Sequence, residues 1–297
     1  MRTGAAGGRQ AGASPVMALP ALVFFACFAL VPMLLVFALS FTRWSGLGAP
    51  RWSGLENWRT LAADPVAHGA VWLTVKVMVL SWAVQTPFAL LLGVFLAGRQ
   101  RWREVLAVLY FVPLLLATTA IGITFRDLLD PNFGISTSPG LSVLARDWLG
   151  DPNLVLYTVV GVIAWQYIPF HTLLYQAGVR QIPQSLFEAA RLDGAGRVKQ
   201  FWYITLPQLR YTFITSTTLI LVGSLTTFDL VYVMTGGGPG YATRLLALDM
   251  FLNAFSRHEM GRASAAAALL VVAGLLLSLS LLRITGFTKM KSQLEGA

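Results

Sequence analysis

The chain has 297 residues, 56% of them hydrophobic and 12% charged, with a formal net charge of +9 and a mean hydropathy of +0.66. Soluble domains carry about 25% charged residues, and the long charge-free runs that recur along this sequence exclude a soluble protein. Nucleic acid is not the partner that the positive charge implies, because the basic residues stand in short segments between apolar runs rather than on one face.

In chain order, residues 1–16 are Gly, Ala and Arg without a period and read as a disordered N-terminal segment. The run 17–42 is too long for a signal-peptide core, holds Pro32 in its middle and precedes no small-x-small cleavage site, so it reads as a span. Cys27 lies inside it, and a lone thiol forms no internal disulfide. Five more runs follow at 68–97, 104–127, 154–179, 209–234 and 261–284. Each approaches the roughly 20 residues that cross the hydrocarbon of a bilayer. The expectation is an all-α polytopic membrane protein with six transmembrane helices, one domain over 17–290 and a tail at 291–297. No internal repeat is visible, which disfavours an inverted-repeat carrier.

Orientation follows from Lys and Arg in the connecting segments. With the N-terminus inside, thirteen of the 22 basic residues fall on the inner side and eight on the outer, and Lys76 falls in a span. The short RQRWR segment at 99–103 adds weight. Both termini are therefore expected in the cytoplasm. The outer segments RWSGLENWRT (51–60) and DPNFGISTSPG (130–140) read as ordered, with Trp44, Trp52, Trp58, Trp72 and Trp148 at the interface.

Between spans four and five, at 183–207, an oily chain turns polar and glycine-broken: EAARLDGAGRVKQFWYITLP fills 188–207. Ser185 and Glu188 have the spacing of a capping box. A helix to about Leu192, a break at Gly194 and Gly196, and a second helix at about 197–205 are expected. Ala189 and Ala190 make the first helix slim enough to enter a cleft, with Arg191 and Asp193 flanking it. Two readings of Glu188 stand at this point: a helix cap, or a contact to a partner. Asp193 is equally a cap for the second helix or a contact.

The pattern E-A-A-x-x-D-G-A, met at Glu188, Ala189, Ala190, Asp193, Gly194 and Ala195 and followed by Phe201, Ile204, Leu206 and Pro207, resembles the EAA loop of inner-membrane permeases of ATP-binding-cassette importers. The spelled-out DGA form is similar to the carbohydrate branch, of maltose and glycerol-3-phosphate permease type. TGGGPG (235–240), GRASAAAALL (261–270) and PMLLVFALSF (32–41) resemble further segments of that branch. The resemblance implies a type I importer permease in a prokaryotic cytoplasmic membrane. It implies as partners a second permease subunit in a heterodimer, two ATPase subunits that each seat an EAA helix in a cleft, an extracytoplasmic solute-binding protein and membrane lipid. Glu188, Ala189, Ala190, Arg191, Asp193, Gly194 and Ala195 would then couple ATP binding to transport.

The chain shows no phosphate-binding G-x-x-x-x-G-K-S/T loop, so ATP and magnesium are expected on a partner ATPase and no cofactor here. His68, His171 and His258 fit no metal spacing, and no cluster of an enzyme is seen. Trp165, Gln166 and Tyr167 join an aromatic face to polar edges in a span, a mixture that suits sugar rings as well as packing. Asp229 is a candidate for the path, with a structural alternative in which it is buried and bonded to Thr226, Thr227 or Lys76. The rival functions are a proton-coupled or facilitative carrier, and an importer permease for a non-sugar solute. Glycerol-3-phosphate, a disaccharide and an oligosaccharide all fit the resemblance.

Overall fold

A computed structural model describes residues 15–98, 100–137 and 146–285. Most of the expected disordered N-terminal segment, and the expected tail at 291–297, lie outside these residues. A short 3-10 turn, Pro15–Ala18, leads into α1 (Leu19–Phe25). A π turn, Ala26–Leu30, joins α1 to α2 (Val31–Leu39) in one apolar helix of 21 residues. Pro32 accounts for the wide turn: it has no N–H to give to the carbonyl four residues back, and its ring crowds that carbonyl. Nothing in the most apolar stretch of this helix is buried, and Phe24, Phe28 and Leu34 stand exposed as lipid-facing side chains do.

The chain then folds back as a two-stranded antiparallel hairpin, β1 (Thr42–Arg43) with β2 (Arg51–Trp52). It continues into α3 (Glu56–Ala63). Asn57 Nδ2 donates to the carbonyls of Ser40 and Thr42 at 2.9 and 2.8 Å, and Trp58 Nε1 donates to Ser40 Oγ at 3.2 Å. The segment expected to be ordered is thus pinned to the end of the first helix. Asp64 then caps α4 (Pro65–Leu96) by accepting from the Val66 N–H at 2.9 Å.

At 32 residues, α4 is about 48 Å long, more than the roughly 30 Å of a hydrocarbon core. Its buried face recurs every three or four residues through Ala70, Thr74, Val77, Ser81, Ala89 and Gly93. Small residues at this spacing let a neighbouring helix approach closely. That neighbour is α7 (Val155–Arg180). A Cβ on Gly93 would lie 2.6 Å from Tyr175 Cβ and 3.0 Å from the Thr172 carbonyl. Gly93→Val is therefore expected to force the two helices apart and lose about 1–3 kcal/mol, read as a lower midpoint for thermal loss of monodisperse protein in detergent. An unchanged midpoint would show that the helices tolerate the separation.

Two expected spans are broken helices. Over 104–127 the structure has α5 (Arg101–Leu115) and α6 (Thr118–Leu128), set at 93° to one another. Pro113 deprives the last turn of α5 of a hydrogen bond, and Leu116 and Ala117 are extended, with ψ of 145° and 131°. Over 209–234 it has α11 (Arg210–Leu225) and α12 (Asp229–Thr235), set at 49°. Here Thr226 and Thr227 Oγ1 both donate back to the Gly223 carbonyl, at 3.0 and 3.3 Å. These side chains compete for a carbonyl that the helix ladder would otherwise use.

Between α7 and α11 lie α8 (Gln184–Leu192), α9 (Arg197–Gln200), a π turn Phe201–Thr205 and α10 (Leu206–Gln208). After α12, the stretch expected to be an outer loop contains a further helix, α13 (Leu246–Phe251), which runs on as a π turn, Leu252–Ser256. The last helix is α14 (Met260–Thr285). Its buried Ala263, Ala265, Ala266 and Ala268 admit α13 and α2 closely.

Among the described residues, three helices are long and apolar enough to cross a membrane, and each bent pair taken as one span brings the number to five. The fourth expected span, α7, has 26 residues and is about 39 Å long. It is not among the five, because Gln166, His171, Thr172 and Gln176 dilute its apolar character. All four are buried against neighbouring helices, while Tyr157, Trp165 and Leu173 on the same helix stay exposed. Gln176 Nε2 closes one end by donating to the Leu96 carbonyl at 2.9 Å.

Candidate functional site

Residues 184–196 form a helix and its stop. The helix α8 starts from Pro183 with no side-chain cap. The expected capping box is absent, because Ser185 falls inside the first turn instead of before it. The end is a Schellman motif: the Ala195 N–H donates to the Ala190 carbonyl at 2.8 Å, and the Gly194 N–H to the Arg191 carbonyl at 3.0 Å. Gly194 adopts φ +74°, which a Cβ makes costly. Gly194 thus has a structural reason to stand where it does. Asp193 is the C-cap of α8, and no side chain caps α9, so its expected alternative as a cap for the second helix is not realised. Gln200 Nε2 donates to the Ala195 carbonyl at 2.7 Å and holds the two pieces together.

No residue of α8 is buried. Glu188, Ala189, Arg191, Asp193 and Gly194 are exposed, and Ala190 and Ala195 are half-buried. Glu188, Arg191 and Asp193 make no side-chain ion pair with the described residues. The neighbouring Leu192, Val198 and Tyr203 are 90%, 71% and 80% accessible. The helix thus presents Glu188 and Ala189 on open faces beside exposed apolar side chains.

The second place of interest is a cavity of about 360 Å³ where both helix breaks meet. Its wall takes Thr118 from the start of α6, Thr226 to Asp229 from the break before α12, Gln85 from α4, and Tyr167 and His171 from α7. Irregular backbone at membrane depth is tolerated where it lines such a cavity. His171 Nδ1 and Ser216 Oγ share a hydrogen bond of 3.0 Å, which fixes α7 to α11 behind the wall.

The three residues Trp165, Gln166 and Tyr167 are not brought together. Tyr167 lines the cavity. Gln166 is buried behind it, with Nε2 donating to Thr118 Oγ1 at 3.0 Å. Trp165 packs edge-on against Phe125, with ring centroids 5.2 Å apart. Asp229 is exposed on the wall, and the expected buried, bonded acid is not found. Thr226 and Thr227 turn their hydroxyls to Gly223, and the Lys76 ammonium sits over the Tyr157 ring at 5.0 Å.

Sequence reasoning missed a buried polar chain in the segment after α12. In TGGGPG, Gly236, Gly237 and Gly240 have φ of 59°, 95° and 59°. A Cβ on Gly237 would press on Leu248 Cδ2 at 3.1 Å, so the segment makes a sharp turn that packs closely on α13. Beyond it, Arg244 Nε donates to Asp249 Oδ1 at 2.8 Å and Asn253 Nδ2 donates to Asp249 Oδ2 at 2.9 Å. Arg257 Nη1 donates to Asn253 Oδ1 at 3.1 Å. Asp249 and Asn253 are inaccessible to solvent. The Arg244–Asp249 spacing of five residues was a usable signal, since an arginine beside an apolar helix needs an acid.

Comparison with known proteins follows from this geometry. Residues 85–287 match the family described as binding-protein-dependent transport system inner membrane component. The probable ABC transporter permease protein YurN of Bacillus subtilis is 34% identical, over 88% of this chain and 91% of its own length. The trehalose/maltose transport system permease protein MalF of Thermococcus litoralis is 31% identical, over 95% and 96%. A chain of a bacterial ABC transporter involved in the import of the acidic polysaccharide alginate has the same fold. It superposes with a TM-score of 0.80 at 20% identity, covering 93% of this chain and 96% of that one.

Proposed function

The chain belongs to the binding-protein-dependent transport system inner membrane components, and from that premise we propose that it forms half of the path through which a sugar or sugar-like solute is imported. It is the permease subunit of an ATP-binding-cassette importer, and ATP hydrolysis belongs to a partner ATPase. The sugar class is supported by relatives named for trehalose and maltose, for arabinooligosaccharides and for sulfoquinovosyl glycerol. In this reading six crossings are made: Leu19–Leu39, α4, the α5–α6 pair, α7, the α11–α12 pair and α14. Both termini and α8 lie in the cytoplasm, and the hairpin, α3 and the turn before α13 face the extracytoplasmic binding protein. The permease domain is 17–290.

The observation that carries the reading is that both broken spans open onto one cavity beside α7, whose largely apolar wall carries a few polar side chains. Tyr167 and Asp229 present an aromatic face and an acceptor there, and Gln166 holds the wall from behind. A second, related permease would complete the path. At the other end, Glu188, Ala189 and Ala190 on the exposed α8 would enter a cleft of the ATPase, with Arg191 and Asp193 at its rim. Gly194 and Ala195 would fix the angle of the helix. ATPase closure moves the path only if it binds the two permease states unequally.

The experiment is uptake of radiolabelled neutral di- and oligosaccharides into proteoliposomes that hold the complete assembly with its binding protein. Uptake is expected to require ATP on the ATPase side and to survive a protonophore. Uptake that persists without the ATPase, and collapses with the proton gradient, would make the chain a secondary carrier.

A further inference from the structure

Asp229 bears on which solutes pass. We propose that it acts as a charge filter, turning away anionic sugars such as uronates and sugar phosphates and admitting neutral polyhydroxylated ones. This inference rests on the reading of the cavity as the solute path and names the solute class for it.

The carboxylate is exposed on the cavity wall, and no lysine or arginine lines that wall among the described residues. The one lysine within a span, Lys76, is held over Tyr157. It lies nine residues before Gln85 on α4, about 14 Å along the helix from the cavity. The hydroxyls closest in sequence, of Thr226 and Thr227, are committed to the Gly223 carbonyl. Both carboxylate oxygens are therefore open to accept hydrogen bonds from an incoming solute. Gln85, Thr118, Tyr167 and Ser224 add neutral donors and acceptors, and His171, the other titratable group on the wall besides the tyrosine and Asp229, is tied through Nδ1 to Ser216 Oγ at 3.0 Å. A negative charge facing the path repels anions, and no lysine or arginine on the described wall offsets it. Specificity built on such repulsion acts against the wrong solute rather than for the right one.

The test reads the field inside the cavity directly, apart from what the binding protein selects. In the complete transporter in proteoliposomes, with Cys27→Ser as background, Thr226→Cys places a thiol three residues from Asp229. Its rates of modification by cationic, neutral and anionic methanethiosulfonates are measured, each normalised to that reagent's rate with a free thiol. The cationic reagent is expected to react at least about tenfold faster than the anionic one. Adding Asp229→Asn is expected to bring the two within about threefold, and Asp229→Glu to keep the preference. A cation preference that Asp229→Asn leaves unchanged overturns the filter while the path reading stands. Failure of all three reagents in every nucleotide state overturns the path reading itself, and the filter with it.

Discussion

Asp249→Ala is expected to lower the stability of the folded chain by about 3–5 kcal/mol, the scale for removing one partner of a buried ion pair. The Arg244–Asp249 contact is 2.8 Å, and the two side chains are 10% and 1% accessible. Alanine would leave a guanidinium buried without its counter-charge, and would also strip Asn253 Nδ2 of its acceptor. The loss would spread to the cavity. The turn that follows α12 is closed by Thr243 Oγ1, which bonds to the Gly238 carbonyl at 2.8 Å and shares a hydrogen bond of 2.7 Å with Thr235 Oγ1. Thr243 precedes Arg244 directly, so movement of the arginine pulls on α12 and on Asp229 at its start. Thermal unfolding of the purified protein in detergent measures the effect. The double variant Arg244→Met with Asp249→Leu is expected to recover most of the loss, since replacing both charges with apolar groups of similar size is commonly neutral. A single variant as stable as the parent would show that the pair contributes no net stability.

The sequence exposes those parts of this fold that depend on composition over long windows. The apolar runs at 17–42, 68–97 and 261–284 became long helices, the first of them interrupted only by the π turn before Pro32. The breaks escaped because each arises from a few atoms that leave the hydropathy of the run unchanged. Leu116 and Ala117 are apolar residues in an apolar run, and only their extended backbone turns the chain. At Thr226 and Thr227 the cause is two hydroxyls on one carbonyl, which reads as ordinary span composition. α13 was missed because its buried face is closed by Asp249 and Asn253, polar residues that made the stretch resemble a loop. At 183–207, glycine marked the helix stop correctly. The capping box failed because Pro183 starts the helix and draws Ser185 into it. Asp229 was placed in the right segment but given the wrong surroundings, since the direction of a side chain depends on the break just before it.

On the proposed reading, with Glu188 paired to a basic residue of the ATPase cleft, Glu188→Lys is expected to reduce ATP-driven uptake at least about 30-fold, the scale for reversing one member of a charge pair across a desolvated contact. The structure removes the competing explanation. Glu188 closes no capping box and makes no ion pair with the described residues, so its replacement takes no contact from the isolated chain. Lysine is also as good a helix former as glutamate, and membrane abundance should be unchanged. ATP hydrolysis by the assembly should lose its stimulation by loaded binding protein, because closure of the ATPase would no longer favour one permease state. Glu188→Gln keeps the shape and loses only the charge, and a smaller defect is expected from it. A charge reversal in the ATPase cleft should restore uptake to Glu188→Lys and to no variant at Asp193. Uptake at the parental rate, at matched membrane levels, would remove Glu188 from the coupling contact and leave α8 as a surface helix.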